Sequence, residues 1–145
     1  MGTWTEGALA SMRSGSGRSG GARRIVVEFL GGQDCCLSAQ EISDGVRAGG
    51  ARVGLASVYR ALESLDALGL VQRVDLGDGV SRFERAEPSG EHHHHLVCDD
   101  CGKVEPFEDT ALEDALVRVA GGRGYDVAAH DVVLRGACGD CRSTD

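Results

Sequence analysis

Apolar residues recur at helical spacing in three stretches of the first half of the chain. Residues 23–30 (R-R-I-V-V-E-F-L) carry an apolar stripe, which the Gly31-Gly32 pair ends. The segment Ser38-Ala-Gln-Glu41 matches a capping box and predicts a second helix that runs to about residue 48. A third helix is predicted over residues 55–68, where apolar side chains follow at helical spacing: Leu55, Val58, Leu62, Leu65 and Leu68.

Two β-type runs follow the third helix. Residues 70–75 and 80–84 are separated by L-G-D-G, which predicts a hairpin. Three helices and a hairpin are the element order of a winged helix-turn-helix, whose third helix enters the major groove of DNA. Ser57, Tyr59 and Arg60 lie near the start of this helix and off its leucine stripe. We therefore predict that these side chains contact DNA rather than forming a plain solvated face.

The last third of the chain predicts a small β-α-β unit. Residues 103–107 form a strand, the capping box Thr110-Ala-Leu-Glu113 opens a helix over about residues 111–120, and residues 125–135 contain a further strand. Such a unit is too small to stand alone, so we predict that it pairs with a second copy in an isologous homodimer. A two-fold dimer also matches the reading of palindromic operators in double-stranded DNA.

The predicted fold class is therefore α+β, with three parts along the chain. Residues 1–21 are rich in Gly and Ser and predict a flexible N-terminal arm, in which a short helix near residues 5–12 is only weakly indicated. Residues 22–87 form the winged helix-turn-helix, and residues 88–145 form the α/β dimerisation domain. The arm either touches phosphate through its arginines or is a plain tail.

Charge is distributed unevenly between these parts. The 145-residue chain has a net charge of −8, which argues against non-specific affinity for nucleic acid. Residues 1–87 hold 10 Arg and 11 acidic residues, whereas residues 88–145 hold 5 basic and 12 acidic residues. DNA is therefore expected to bind to residues 1–87, and metal cations are expected to bind to residues 88–145. The sequence shows no signal peptide or apolar span of membrane length, which predicts a cytoplasmic protein without a membrane partner.

Two Cys-x-x-Cys pairs mark the dimerisation domain. Cys98 and Cys101 form the first pair, and Cys138 and Cys141 form the second. Four thiolates make a closed tetrahedral set for structural Zn²⁺. Disulfides or a redox Cys-x-x-Cys pair are the alternatives. No signal peptide indicates an oxidising compartment, and the βαβ pattern that a thioredoxin-like redox pair requires is not visible before the motif. The spacing therefore predicts a four-cysteine zinc site, which leaves no coordination position for the neighbouring histidines.

Residues 92–95 are four consecutive histidines. In an extended run, His93 and His95 face one way and His92 and His94 the other, which predicts two further metal sites. On the first side the additional candidates are Glu84 and Cys36 or Cys35, so the ion would join the two domains. On the second side the candidates are Glu113 and His130. Cysteines as small buried apolar residues, and His130 as an ordinary strand histidine, remain the alternative interpretation.

Taken together, these motifs resemble the ferric uptake regulator family from about Arg23 onward. The resemblance rests on residues 54–62 (G-L-A-S-V-Y-R-A-L), 92–103 (H-H-H-H-L-V-C-D-D-C-G-K), 82–84 (R-F-E) and the final C-G-D-C. It implies a homodimeric, metal-dependent transcriptional repressor with an N-terminal winged helix. Arg23 falls at the arginine that begins the family's first long helix, which adds it to the expected DNA contacts.

The resemblance also implies two regulatory ligand sets and bears on the sensed metal. The inter-domain set falls on Cys36, Glu84, His93 and His95, and the second set falls on His92, His94, Glu113 and His130. Iron-type members carry a histidine where Cys36 stands, and a thiolate there favours Zn²⁺ over Fe²⁺.

The predicted function is thus repression of metal-uptake genes, with zinc favoured as the sensed metal. An iron(II)-responsive or peroxide-sensing member of the family is the alternative. A zinc hydrolase is disfavoured, because the chain lacks H-E-x-x-H and four-ligand sets leave no open coordination position.

Overall fold

The chain divides into two compact units, residues 1–90 and 91–145. The computed structural model describes residues 2–13, 20–86 and 92–142. The domain boundary expected after residue 87 falls outside these described ranges. None of the helices within them combines the length and apolar character needed to cross a bilayer.

The N-terminal unit begins with four helices. They are α1 (Thr3–Arg13), α2 (Gly20–Leu30), α3 (Ala39–Ala48) and α4 (Leu55–Ala67). The predicted capping box at the start of α3 is present, since the Ser38 side chain accepts from the Glu41 backbone N–H and the Glu41 carboxylate accepts from the Ser38 backbone N–H. Helices α2, α3 and α4 correspond to the three helices that apolar spacing predicts.

Helix α1 corrects the expectation of a flexible arm over residues 1–21. The indole Nε1 of Trp4 donates to the Leu70 carbonyl at 3.2 Å, and Thr5 and Ala8 are buried. Trp4, Ala8, Leu9 and Met12 share one face of α1 and pack into the core of the unit. The helix that the sequence only weakly indicated near residues 5–12 is therefore present as part of α1. Residues 14–19 lie outside the described part of the chain.

A three-stranded antiparallel sheet completes the N-terminal unit. Its strands are β1 (Leu37–Ser38), β2 (Val71–Asp75) and β3 (Ser81–Arg85), in the order β1-β3-β2. Strands β2 and β3 form the predicted hairpin, in which Gln72 lies opposite Glu84. Phe83 points into the helical core, so its neighbours Arg82 and Glu84 lie on the other face of the sheet. The short strand β1 has no clear signal in the sequence.

The C-terminal unit is a three-stranded sheet with one helix. It comprises β4 (His94–Cys98), β5 (Val104–Phe107), α5 (Thr110–Gly122) and β6 (Val133–Gly136). Strand β4 is central, antiparallel to β5 and parallel to β6. The prediction that Thr110 caps α5 is wrong, because Asp109 is the N-cap and its carboxylate accepts from the Leu112 backbone N–H at 2.9 Å. Glu113 is thereby left to other partners.

Little apolar surface is buried within the C-terminal unit. Among residues 92–142, the buried apolar side chains are Val97 and Cys98, and α5 contains no buried residue. Val117 on α5 is 72% exposed and Leu134 on β6 is 50% exposed. A unit with so small a core requires another source of stability, such as a bound ion or a second subunit.

Candidate metal centres and nucleic-acid surface

The four cysteines of the two Cys-x-x-Cys pairs come together at one end of the C-terminal sheet. Cys98 is the last residue of β4 and lies opposite Gly136 of β6, so the parallel pairing brings the second Cys-x-x-Cys pair beside the first. All four sulfurs lie within 4.8 Å of one another, and the Sγ atoms of Cys101 and Cys138 are 3.8 Å apart. Two thiolates at about 2.3 Å from one tetrahedral zinc are separated by about 3.8 Å, so the donor set fits this ion.

Backbone groups polarise this cysteine cluster. The backbone N–H groups of Cys101 and Cys138 donate to the Cys98 sulfur at 3.5 and 3.3 Å. These hydrogen bonds lower the pKa of Cys98 to about 6, so its thiolate is present at neutral pH. Hydrogen bonding to Cys138 and the neighbouring thiols raises the pKa of Cys141 to about 12. A divalent cation in the cluster favours loss of the remaining protons.

A second cluster joins three imidazoles to one carboxylate. The ligand atoms of His92, His94, Glu113 and His130 all lie within 4.8 Å of one another. The Nε2 atoms of His92 and His130 are 3.2 Å apart, His130 Nε2 is 2.7 Å from Glu113 Oε2, and His94 Nε2 is hydrogen-bonded to Glu113 Oε1. Nitrogen and oxygen donors in this number suit Zn²⁺ or Fe²⁺.

Glu113 is the centre of this second cluster. Its hydrogen bonds with His94 and then His130 hold the pKa of its carboxyl below the usual range. The carboxylate therefore stays ionised and accepts from the imidazoles. His94 is 2% exposed, and its Nδ1 accepts from the Val132 backbone N–H at 3.2 Å, which fixes the orientation of the ring.

The residues expected to sense metal form one pair in each unit. In the N-terminal unit, Cys36 and Glu84 are 3% and 5% exposed, and their ligand atoms lie within 4.8 Å of each other. In the C-terminal unit, the rings of His93 and His95 pack edge to face, with centroids 4.9 Å apart. Hydrogen bonding to Cys35 and then burial raise the pKa of the Cys36 thiol.

Gln72 is a supporting residue that the sequence analysis missed. Its Nε2 donates to Glu84 Oε1 at 2.6 Å across the hairpin. Such a hydrogen bond holds a carboxylate in one orientation and strengthens it as a ligand. The signal that could have found Gln72 is the hairpin register, which places it directly opposite Glu84.

The predicted DNA-binding residues differ in exposure. Tyr59 is 46% exposed and Arg60 is exposed on the first turns of α4, where Arg60 Nη2 donates to Ser57 Oγ at 3.2 Å. Arg23 lies instead against α4, because its Nη1 donates to Ser64 Oγ at 3.1 Å. Tyr59 and Arg60 are thus exposed near the start of α4, Ser57 is half-buried beside Arg60, and Arg23 links α2 to α4. Contact of these four residues with DNA stays a prediction.

An ion pair holds the loop of the β2–β3 hairpin, which is the wing of the winged helix-turn-helix. Arg82 is 6% exposed, and its two terminal nitrogens donate to the two carboxylate oxygens of Asp78 at 3.0 and 2.8 Å. This bidentate contact lowers the pKa of Asp78. The wing loop is therefore tied to β3 and its acidic side chain is turned toward Arg82.

We expect Asp78→Asn to destabilise the N-terminal unit by about 1 kcal/mol at neutral pH. Since the pKa of Asp78 is lowered in the folded state, its stabilisation is full above its ordinary pKa of 3.8 and disappears as the pH falls through the lower folded value. Urea unfolding followed by the fluorescence of Trp4, the single tryptophan, should show the two proteins converging in acid. Asp75→Asn is the control, because Asp75 accepts from the Gly77 backbone N–H rather than from a cation. A pH-independent difference would contradict the prediction.

A winged helix followed by a small sheet domain with cysteine and histidine clusters defines a metal-dependent DNA-binding regulator. The sequence profile of the Ferric uptake regulator family matches residues 16–135. The chain belongs to this family, whose members are transcription regulators and not enzymes. The resemblance drawn from the sequence motifs is confirmed, and the hydrolase alternative is excluded.

Three members of the family are similar to this chain over most of its length. The ferric uptake regulation protein of Bacillus subtilis is 36% identical over 110 residues, covering 75% of this chain and 74% of that protein. The crystal structure of the Vibrio cholerae ferric uptake regulator is 32% identical with a TM-score of 0.76, covering 92% of this chain and 98% of that one. A Helicobacter pylori ferric uptake regulator structure, described as having three functional metal binding sites, is 25% identical with a TM-score of 0.78, covering 98% and 94%.

Proposed function

We propose that this protein is a zinc-responsive homodimeric repressor that binds palindromic operators of metal-uptake genes. The observation that carries the choice of zinc is the buried thiol of Cys36 beside the buried carboxylate of Glu84. A thiolate in the sensing set favours zinc over iron(II). Iron(II) is the second candidate, because Glu84 is an oxygen donor of the iron type and the relatives are named for ferric uptake regulation.

Three ligand sets carry this function. The four cysteines hold a structural Zn²⁺, and the two regulatory sets each hold Zn²⁺ or Fe²⁺. The inter-domain sensing set is Cys36, Glu84, His93 and His95, and the second regulatory set is His92, His94, Glu113 and His130. The description of three functional metal sites in the Helicobacter pylori regulator supports this number.

The sensing set draws one pair of ligands from each unit. When bound, an ion supplies a cross-link between the two pairs, at the cost of displacing the proton of the Cys36 thiol. Free energy of metal binding is thereby coupled to the orientation of the winged helix, and in a dimer to the spacing of the two α4 helices. The exposed apolar side chains of the C-terminal unit, Val117 and Leu134 among them, support its role in dimerisation.

A metal titration of DNA binding tests the proposal. Protein that retains only its structural zinc is added to DNA from upstream of its own gene, labelled for anisotropy, under buffered free zinc, iron(II) or manganese(II). Activation at very low free zinc, with iron acting only at far higher concentration, is expected. Tight activation by iron(II), with zinc acting only at the higher concentration, would replace zinc with iron. DNA binding that is unchanged by zinc, iron(II) and manganese(II) would refute the metal-sensing function.

We expect Arg60→Ala to weaken DNA binding. Because one phosphate contact is lost, log affinity should also fall less steeply with log salt concentration, by about one unit of slope. Anisotropy titrations across a salt series measure both quantities. Arg123→Ala is the matched control, since Arg123 is an exposed arginine at the end of α5 in the other unit. An unchanged salt slope for Arg60→Ala would remove this residue from the DNA contacts.

A further inference from the structure

Two adjacent cysteines precede β1 in the N-terminal unit. The Sγ atoms of Cys35 and Cys36 are 3.9 Å apart. Two thiolates bound to one tetrahedral zinc at about 2.3 Å are separated by about 3.8 Å. The same molecule provides a reference, because Cys101 and Cys138 in the four-cysteine cluster have sulfurs 3.8 Å apart. The adjacent pair therefore has the sulfur spacing of two ligands of one ion.

The surroundings of this pair suit a cation. Cys36 is 3% exposed, and the buried carboxylate of Glu84 lies within 4.8 Å of its sulfur, oriented by Gln72. Burial of a carboxylate beside thiols is costly unless positive charge compensates it. A divalent cation held by the thiolates and this carboxylate supplies such charge. Cys35 is partly exposed, which gives an ion a route to the sulfurs.

We propose that Cys35 and Cys36 bind the sensed ion together, as a chelating dithiolate. This inference rests on the proposed function and deepens it, because Cys35 then takes the place of one of the other donors and the tetrahedral set contains two thiolates rather than one. Two sulfur donors select thiophilic ions such as Zn²⁺ and Cd²⁺ over Fe²⁺ and Mn²⁺. They also place much of the binding energy in the DNA-binding unit itself, next to the wing.

Cobalt(II) titration of the full-length protein tests the inference. Sulfur-to-cobalt charge transfer absorbs in the near ultraviolet in proportion to the number of bound thiolates, and the second regulatory set contains no sulfur. The four-cysteine cluster keeps its zinc, which is verified by metal analysis after each titration. We expect Cys35→Ser and Cys36→Ser each to reduce the charge-transfer band to about half or less, and the double variant to abolish it.

The outcomes separate this inference from the proposed function. Full band intensity in Cys35→Ser, with complete loss in Cys36→Ser, would overturn the dithiolate and leave a single-thiolate sensor. A wild-type protein with no such band, together with DNA binding indifferent to metal, would overturn both. Trp4 fluorescence and the retained structural zinc show that each variant is folded. Cys35→Ser should also bind Cd²⁺ more weakly while its affinity for Mn²⁺ changes little.

Discussion

Replacing Cys98 with serine is expected to release the metal of the four-cysteine cluster and to unfold the C-terminal unit. Cys98 is the most buried of the four cysteines and the one whose sulfur accepts two backbone N–H groups. A serine hydroxyl stays protonated at neutral pH and is a poor zinc ligand, so three thiolates remain for a site that requires four. The zinc content should fall by about one ion per chain.

The small core of this unit explains why the effect should be large. Within residues 92–142 the buried apolar side chains are Val97 and Cys98, and α5 buries none of its residues. Structural zinc sites contribute folding free energy directly, and a unit without a core depends on that contribution. Family members are dimeric, so loss of the proposed dimerisation domain should also lower the subunit number.

Three measurements check this prediction. Metal analysis gives the zinc content, near- and far-ultraviolet circular dichroism gives the folded fraction, and light scattering gives the subunit number. Ala137→Ser is the matched control, because it adds a serine beside Cys138 at an exposed position without removing a ligand. A Cys98→Ser protein that retained its zinc and remained a folded dimer would show that the cluster is not the structural site.

Local patterns predicted most of the N-terminal unit, because its helices and hairpin are specified by short-range chemistry. Apolar spacing predicted α4. The capping pattern from Ser38 to Glu41 predicted the start of α3, where the reciprocal hydrogen bonds of the two residues are present. The same approach failed where two signals compete. Thr110 matched the capping pattern, but Asp109 one residue earlier is the stronger acceptor and caps α5 instead.

The candidate metal sites could be predicted only from residue types that bind metal and from the alternation of side chains along a strand. Alternation separated His92 and His94 from His93 and His95. The contact of Glu113 with its three imidazoles depends on the parallel pairing of β4 with β6, which is long-range and was not visible in the sequence. It also depends on the start of α5, which the capping pattern placed one residue late. The relation of Cys35 to Cys36 depends on side-chain geometry, which spacing alone cannot give.

The second large effect is expected from the double variant His93→Ala, His95→Ala. In the proposed function these imidazoles are the C-terminal unit's share of the sensing set, and their removal leaves the four-cysteine cluster and Glu113 with its partners intact. The variant should therefore remain a folded, zinc-containing dimer. Its DNA affinity should no longer rise with metal, whereas allosteric coupling of the usual size would give the wild type a gain of about 5–150-fold.

Anisotropy titrations with and without buffered zinc measure that gain in both proteins. Asp100→Ala, Glu108→Ala is the matched control, because it removes two exposed acidic side chains from the same unit. It should keep the full metal response, which excludes a general effect of lost surface charge. If the histidine variant responds to metal as the wild type does, the ion that regulates DNA binding is held elsewhere. The cluster around Glu113 then becomes the sensor, since it is the remaining set of imidazole and carboxylate ligands within the described residues of the C-terminal unit.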